Sequence, residues 1–283
     1  MIAFLGMGLL GSGFTRALLR RGETVHIWNR TASKAEALRS YGAKAFAEPA
    51  QAVSGADIVH LTLKDDATVD EVLGQAVRGL KEGAVIIDHT TTSVEGAILR
   101  TAQWKAKGYT YLHAPVFMGP QNALEGTGYM LVSGDQEVIG KLEPVLAPMT
   151  GKLMNFGVVE GRAAGMKLLG NCFLVTLTTG IADTLMLAKG MDVPAADLAT
   201  LFDSWNPGAL LPARLKRMTS GNYSTPSWEL NMARKDVGLF LEEARQGGVE
   251  LQIIPVAAKL MDQWIGRGHG GDDWTVIGKD AVS

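Results

Sequence analysis

The chain has 283 residues, 47% of them hydrophobic and 20% charged, which is enough for one large core or two ordinary ones. Its formal net charge of −2 supplies no electrostatic reason to expect nucleic acid or an anionic membrane surface as partner. The single cysteine, Cys172, cannot form an internal disulfide, which suits a reducing compartment, and its apolar neighbours predict a buried structural thiol.

The first half alternates short β-like runs with helical stretches. "IAFL" (2–5), "TVHIW" (24–28), "DIVHLTL" (57–63) and "AVIID" (84–88) read as buried strands, and "TYLHAPV" (110–116), "YMLVSG" (129–134) and "KLMNFG" (152–157) continue the series. Helical patterns such as 11–22 and 69–80 lie between them. Strands alternating with helices imply a mainly parallel sheet covered on both faces. After Gly161 the strand pattern stops. An apolar helix over 162–188 is followed by helical segments near 194–204, 208–220, 227–246 and 253–266, punctuated by Gly190, Pro194, Pro207, Gly221 and Pro226. The boundary therefore falls near residue 160: an α/β domain over 1–160 and an all-helical domain over 161–283. No stretch shows the unbroken apolar length of a membrane span, and "MIAFLGMG" reads as a core strand entering a glycine loop. The expectation is a cytoplasmic protein.

That loop, "GMGLLG", puts Gly6, Gly8 and Gly11 between the first strand and the first helix. The first glycine makes a tight turn, the second lets a diphosphate reach the backbone, and the third permits close helix–strand packing. With the diphosphate at the positive end of the helix, Gly6, Met7, Gly8, Leu9, Leu10 and Gly11 are candidate dinucleotide-binding residues. The second strand ends in Asn29, Arg30 and Thr31 where NAD-binding chains carry an acid for the ribose hydroxyls. Arg30 can hold a 2′-phosphate through its guanidinium fork, with Thr31 or Ser33 donating, so the cofactor expected is NADP. The plainer reading of this segment is a solvated basic turn.

Lys167 and Asn171 lie four residues apart in "GMKLLGNCFLV" and so share one helix face. Taken alone, Lys167 could snorkel to water along its alkyl stem.

Taken together, these motifs resemble those of the β-hydroxyacid dehydrogenases, relatives of 6-phosphogluconate and 3-hydroxyisobutyrate dehydrogenases. The resemblance rests on the glycine-loop opening, "DHTTTS" (88–93), "HAPVFMGPQNALEGTG" (113–128), "GRAAGMKLLGN" (161–171), "MARKDVGLFLEEA" (232–244) and "GHGGDDWTVI" (268–277), in that order. It implies a Rossmann-type doubly wound sheet followed by an all-α domain on a long interdomain helix, a homodimer, and an active site between the domains. It implies an NADP-dependent enzyme interconverting a β-hydroxyacid, or related alcohol, and its carbonyl compound. Lys167 would be the acid/base and Asn171 would orient the substrate. A developing alkoxide needs a proton or a positive charge, and a lysine can supply either when burial lowers its pKa.

The resemblance also places Leu63, Lys64, Thr91 and Lys235 near the cofactor, with Lys235 near substrate as well, although Lys235 could simply pair with Asp236 or Glu229. Lys64 departs from a family proline. Phe117, Met118 and Gly119 stand where the family has a Ser-Gly-Gly run that grips a substrate carboxylate, so the pocket should be more apolar than usual unless Phe117 points away. Trp205 and Trp228 could form an aromatic wall. Asp272 and Asp273 could only cap a last turn. No His/Cys/acid cluster has metal-ligand spacing, so no metal is expected. Two alternatives share the scaffold: an imine reductase, which usually carries another residue at the lysine position, and a non-catalytic NADP-binding interaction protein, which tends to lose it.

Overall fold

The computed structural model describes residues 1–282. Six strands form a parallel sheet: β1 (Ile2–Leu5), β2 (Val25–Trp28), β3 (Lys44–Ala45), β4 (Ile58–Leu61), β5 (Val85–Asp88) and β6 (Thr110–His113). Their order is β3-β2-β1-β4-β5-β6, so the winding reverses between β1 and β4. Helices α1 (Leu9–Arg20), α2 (Ala32–Glu36), α3 (Pro49–Val53), α4 (Asp66–Ala76) and α5 (Val94–Ala106) connect these strands. Alternation along β1 shows why both faces are covered. Ile2 and Phe4 enter one core with Phe14 and Leu18 of α1, while Ala3 and Leu5 enter another with Val69, Val72 and Trp104.

The later strands do not extend this sheet. β7 (Val116–Phe117), β8 (Tyr129–Val132) and β9 (Lys152–Asn155) form a separate three-stranded sheet in which β7 and β8 are antiparallel. The run expected over 110–116 is broken at Pro115, which has no N–H for the ladder; its carbonyl instead accepts from Leu131 at 2.9 Å. Helices α6 (Pro120–Glu125) and α7 (Gln136–Leu146) complete this part.

From there the chain is helical: α8 (Arg162–Gly190), α9 (Ala195–Ser204), α10 (Leu211–Ser220), α11 (Leu230–Gln246) and α12 (Ile254–Trp264). Two compact units result, Met1–Cys172 and Phe173 onward. This division lies inside α8, because the first turns of α8 pack on the α/β unit. Ala163 and Ala164 are buried, and the Ala163 N–H donates to Ser133 Oγ at 2.9 Å. In the second unit, Leu230, Val237, Met261, Trp264 and Val276 form the core. Asp183 of α8 fastens this unit by accepting the N–H groups of Gln252, Ile253 and Ile254 at 2.8–3.0 Å, which caps the start of α12.

Two sequence expectations about α8 are corrected. Its apolar residues are hydrophobic all round, yet Leu169, Val175, Leu177 and Ile181 are exposed on the chain, and so is Cys172, expected to be buried. By length and composition α8 also reaches the span of a membrane. Lys167 and Asp183 interrupt its apolar sequence without shortening the helix.

Candidate active site

The glycine loop has the geometry its spacing predicts. Gly6 adopts φ +100°, which only glycine takes without strain, and a Cβ there would overlap Thr62. A Cβ on Gly11 would overlap the Gly6 carbonyl, so the third glycine permits the close helix–strand approach. A Cβ on Gly8 would meet nothing, leaving the loop open on that side. No side chain caps α1 and no acid occupies its first turn, so its N-terminus is free to take an anion.

A groove runs to either side of Gly8. Its β2 flank, of about 310 Å³, is lined by Asn29, Arg30, Thr31 and Lys34, with Glu71 and Gln75 of α4 opposite. Its β4–β5 flank, of about 400 Å³, is lined by Leu9, Leu10, His89, Thr90 and Thr91. Gly8, Thr62, Leu63 and Lys64 border both, so the two flanks meet at the switch point between β1 and β4, where a dinucleotide lies across such a sheet. The residues fit the group: an uncapped helix end for a diphosphate, and a base without an acid at the end of β2.

Two candidates have other tasks. Met7 turns into the core, and its N–H donates to Asn29 Oδ1 at 2.8 Å. Asn29 in turn donates to the Thr31 carbonyl at 2.9 Å, so its side chain ties the glycine loop to the basic turn. Lys64 is exposed and reaches Asp65 at 3.4 Å.

Lys167, Asn171 and Phe117 come together in the first unit. Lys167 is 9% exposed, so its side chain does not snorkel to water. Its Nζ donates to Asn171 Oδ1 at 2.9 Å and lies 4.1 Å from the centroid of the Phe117 ring. Burial lowers its pKa below the usual lysine value of 10.5. Gly170 makes room for this arrangement: any Cβ there would overlap the Phe117 ring. Phe117 therefore does not point away. The Gly119 N–H, a candidate anion donor, is taken by Asn122 Oδ1 at 2.9 Å at the start of α6. The loop that grips a carboxylate in the family thus lacks its hydroxyl here and has one amide engaged.

Lys235 and Trp205 lie in the second unit. Lys235 pairs with Asp236 at 2.9 Å, and Trp205 is exposed and stacks on Phe202 at 6.0 Å. Trp228 meets Trp274 edge-on at 5.5 Å. Asp273 caps the last turn through Thr275 and also accepts from Arg217 and Ser227; against the cost of burial, the hydrogen bonds from Thr275 and Ser227 push its pKa down to about 2. Among the described residues, no group of three or more His, Cys, Asp or Glu side chains is placed to hold a metal ion.

The sequence reading missed a buried polar cluster behind the β4–β5 flank. Asp88, fully buried at the end of β5, accepts from the Thr90 N–H at 2.8 Å and the Tyr111 hydroxyl at 2.6 Å. Burial and the neighbouring Asp88 raise the Tyr111 pKa well above its usual 10, which keeps that hydroxyl a donor. Arg100 completes the chain, and its position between Ala97 and Trp104 on the buried face of α5 was the available clue. His89 Nδ1 lies 2.8 Å from the Ala114 carbonyl and its Nε2 lies 3.0 Å from His60 Nδ1, so a δ1 proton on each ring satisfies both contacts.

The sequence matches known families along almost its whole length. Residues 1–157 match the NAD binding domain of 6-phosphogluconate dehydrogenase, and residues 160–281 match the C-terminal domain described as NADPH-dependent reductive aminase-like. The glyoxylate/succinic semialdehyde reductase 2 of Arabidopsis thaliana is 32% identical over 98% of this chain and 78% of that protein. The 3-sulfolactaldehyde reductase of Escherichia coli is 28% identical over 98% of this chain and 94% of that protein. Among solved structures, an imine reductase from Myxococcus stipitatus in complex with NADP+ superposes with a TM-score of 0.91 over 98% of both chains at 20% identity, a likeness of fold. With the glycine-loop geometry and the Lys167–Asn171 pair in place, these matches establish that the chain belongs to the β-hydroxyacid dehydrogenase family.

Proposed function

We propose that this chain is an NADP-dependent oxidoreductase that interconverts a small β-hydroxyacid, or a related alcohol, and its carbonyl compound. The observation that carries this reading is the buried Lys167 ammonium, held among the described residues by an amide oxygen and a ring face. Neither neighbour neutralises it, so the charge is available to an oxygen that becomes negative. When bound, NADPH supplies the hydride that reduces the carbonyl carbon. Gly8 and the uncapped start of α1 would hold the diphosphate, and Arg30 with Thr31 would hold the 2′-phosphate. Lys167 gives its proton to the forming alkoxide, is left as a neutral amine and regains a proton from solvent. In the oxidising direction the neutral amine accepts the hydroxyl proton. Asn171 fixes the Lys167 Nζ position and orients the substrate oxygen without adding a charge.

The named relatives reduce aldehydes that carry an anionic group, which supports an aldehyde or ketone as substrate here. Phe117, and the hold of Asn122 on Gly119, weaken the carboxylate grip and favour a less polar carbonyl compound. Imine reduction is the second reading, supported by the match over 160–281. NADPH oxidation measured against ketoacids, semialdehydes and cyclic imines tests both. Turnover of a carbonyl compound is expected to be fastest, and turnover confined to imines would overturn the proposal.

We further propose a cytoplasmic homodimer. The exposed apolar side chains of α8 support a second protein surface there. Asp183 caps α12 and Lys167 engages Asn171, so both polar interruptions of the helix already serve this chain's own fold, which argues for protein rather than lipid as the cover.

A further inference from the structure

Two loops line the β4–β5 flank of the groove, 62–65 before α4 and 89–93 before α5. They are laced to each other by two backbone donors. The Leu63 N–H donates to Thr90 Oγ1 at 2.9 Å, and the Ser93 N–H donates to Asp66 Oδ2 at 2.9 Å. Both lacings depend on groups that lie behind the loops. Asp66 accepts from Arg100 Nη2 at 2.5 Å, while Arg100 Nε donates at 3.1 Å to the Tyr111 hydroxyl, which donates to Asp88, the acceptor for the Thr90 N–H. Arg100 is 2% exposed. One guanidinium thus ends two chains of hydrogen bonds, each finishing on a different part of the loop pair.

We propose that Arg100, through Tyr111–Asp88 on one side and Asp66 on the other, is a positioning residue that sets both loops for the nicotinamide half of the bound cofactor. The β4–β5 flank receives that half because the β2 flank, with Arg30, receives the adenosine half, and the diphosphate lies between them at α1. Arg100 pairs directly with Asp66 and, at 3.4 Å, with Asp70, whereas it meets the buried Asp88 carboxylate only through the Tyr111 hydroxyl, so losing that hydroxyl leaves Asp88 short of a donor without breaking an ion pair. Gly96 shows how closely the pieces are set: a Cβ there would overlap Asp66 Oδ1 and lie 2.8 Å from Ser93 Oγ and 2.9 Å from Arg100 Nη2.

The proposal rests on NADP being the cofactor, and its test is a binding measurement that needs no substrate. Full-length protein is titrated with NADP+ and, separately, with adenosine 2′,5′-bisphosphate, which lacks the nicotinamide half. Two variants are compared with the parent. Tyr111→Phe removes only the bridging hydroxyl. Gly96→Ala displaces Asp66 while adding a better helix former, so a loss of affinity there runs against any gain in helix stability. Both variants are expected to weaken NADP+ binding about threefold to tenfold, the range for one lost hydrogen bond, and to leave adenosine bisphosphate within about twofold. Parallel weakening of both ligands, or no change in either, would overturn the proposal. Should Tyr111→Phe fail to fold, Gly96→Ala decides alone. A parent protein that binds neither ligand would refute the cofactor reading itself, a separate outcome.

Discussion

The Lys167 ammonium lies against the face of the Phe117 ring, 4.1 Å from its centroid, while donating to Asn171. The two surroundings act in opposite directions on the proton. Burial lowers the lysine pKa, and the ring face favours the cation. In alcohol oxidation, where the neutral amine is the active form, the rate should rise with pH through an inflection below 10.5, lysine's usual value. Phe117→Leu should move that inflection lower still, because it removes the ring face and keeps the burial. Lys167→Ala should abolish turnover and leave NADP binding nearly intact. Lys167→Arg should rescue little, since a guanidinium does not cycle its proton near neutral pH. More than about a tenth of the activity surviving in Lys167→Ala would refute acid/base catalysis by this residue, given the 10²–10⁴-fold such groups contribute.

Phe117 and Met118 should also decide substrate polarity. Phe117→Ser with Met118→Gly restores a hydroxyl and a close backbone approach, and should raise activity on 3-hydroxyisobutyrate relative to the parent's best substrate. Gly170→Ala should displace the ring by direct overlap and change the same preference while leaving the loop's own sequence unaltered. Steady-state kinetics on a carboxylate-bearing and a carboxylate-free substrate separate these effects. A parent enzyme that is already best on small 3-hydroxyacids, and is harmed by the double change, would show the loop reading to be wrong.

For the cofactor, Arg30→Ala should remove most of the preference for NADP over NAD. A charge-assisted phosphate contact contributes roughly 1.5–3 kcal/mol, or about one to two decades in affinity. Calorimetric titration of both cofactors measures it. Equal affinities in the parent protein would end the argument before any mutation is made.

What could be read from the sequence was what depends on short-range spacing. Three glycines between a strand and a helix, and a lysine four residues before an asparagine, carry their geometry with them. β1, β2, β4, β5 and β6 showed as short apolar runs between helical stretches in the same way. Pairings between distant residues did not show. Gly119 loses its amide to Asn122 because the chain turns into α6 there, and Asp88 meets Tyr111 and, through it, Arg100 only when β5, β6 and α5 are packed. β3, two residues long, is too short to show a period. The exposed face of α8 was hidden for the opposite reason: an all-round apolar helix implies cover, and the sequence does not say which chain provides it.

Acid should destabilise the fold before Asp273 protonates. His89 is buried and its pKa is lowered by that burial to about 4, and His60 and His113 are lowered by the same cause. Below pH 6.5, the usual histidine value, the unfolded chain takes up protons at these sites that the folded chain refuses. Stability should therefore fall as pH drops from 6.5 towards 4, by up to about 1.4 kcal/mol per unit for each such histidine. Asp273 acts later, because its carboxylate stays ionised down to about pH 2 and its contribution is lost only below 3.8. A melting temperature that stays flat between pH 7 and 5 would contradict this account.

The apolar face of α8 sets the last expectation. Leu169 and Val175 are each 65% exposed on the single chain, and Leu174, Leu177 and Ile181 are close to half exposed. Monomeric proteins rarely leave so continuous an apolar strip open to water. Covering it with the same strip of a second copy buries both at once, which a two-fold interface does by symmetry. Light scattering at micromolar concentration should give the mass of two chains. Val175→Lys puts a charge on the strip, where it would have to be desolvated without a partner, and should shift the mass towards one chain while leaving NADP binding at the glycine loop unchanged. A parent protein with the mass of one chain would remove the dimer from the proposal and leave this face without a partner of its own kind.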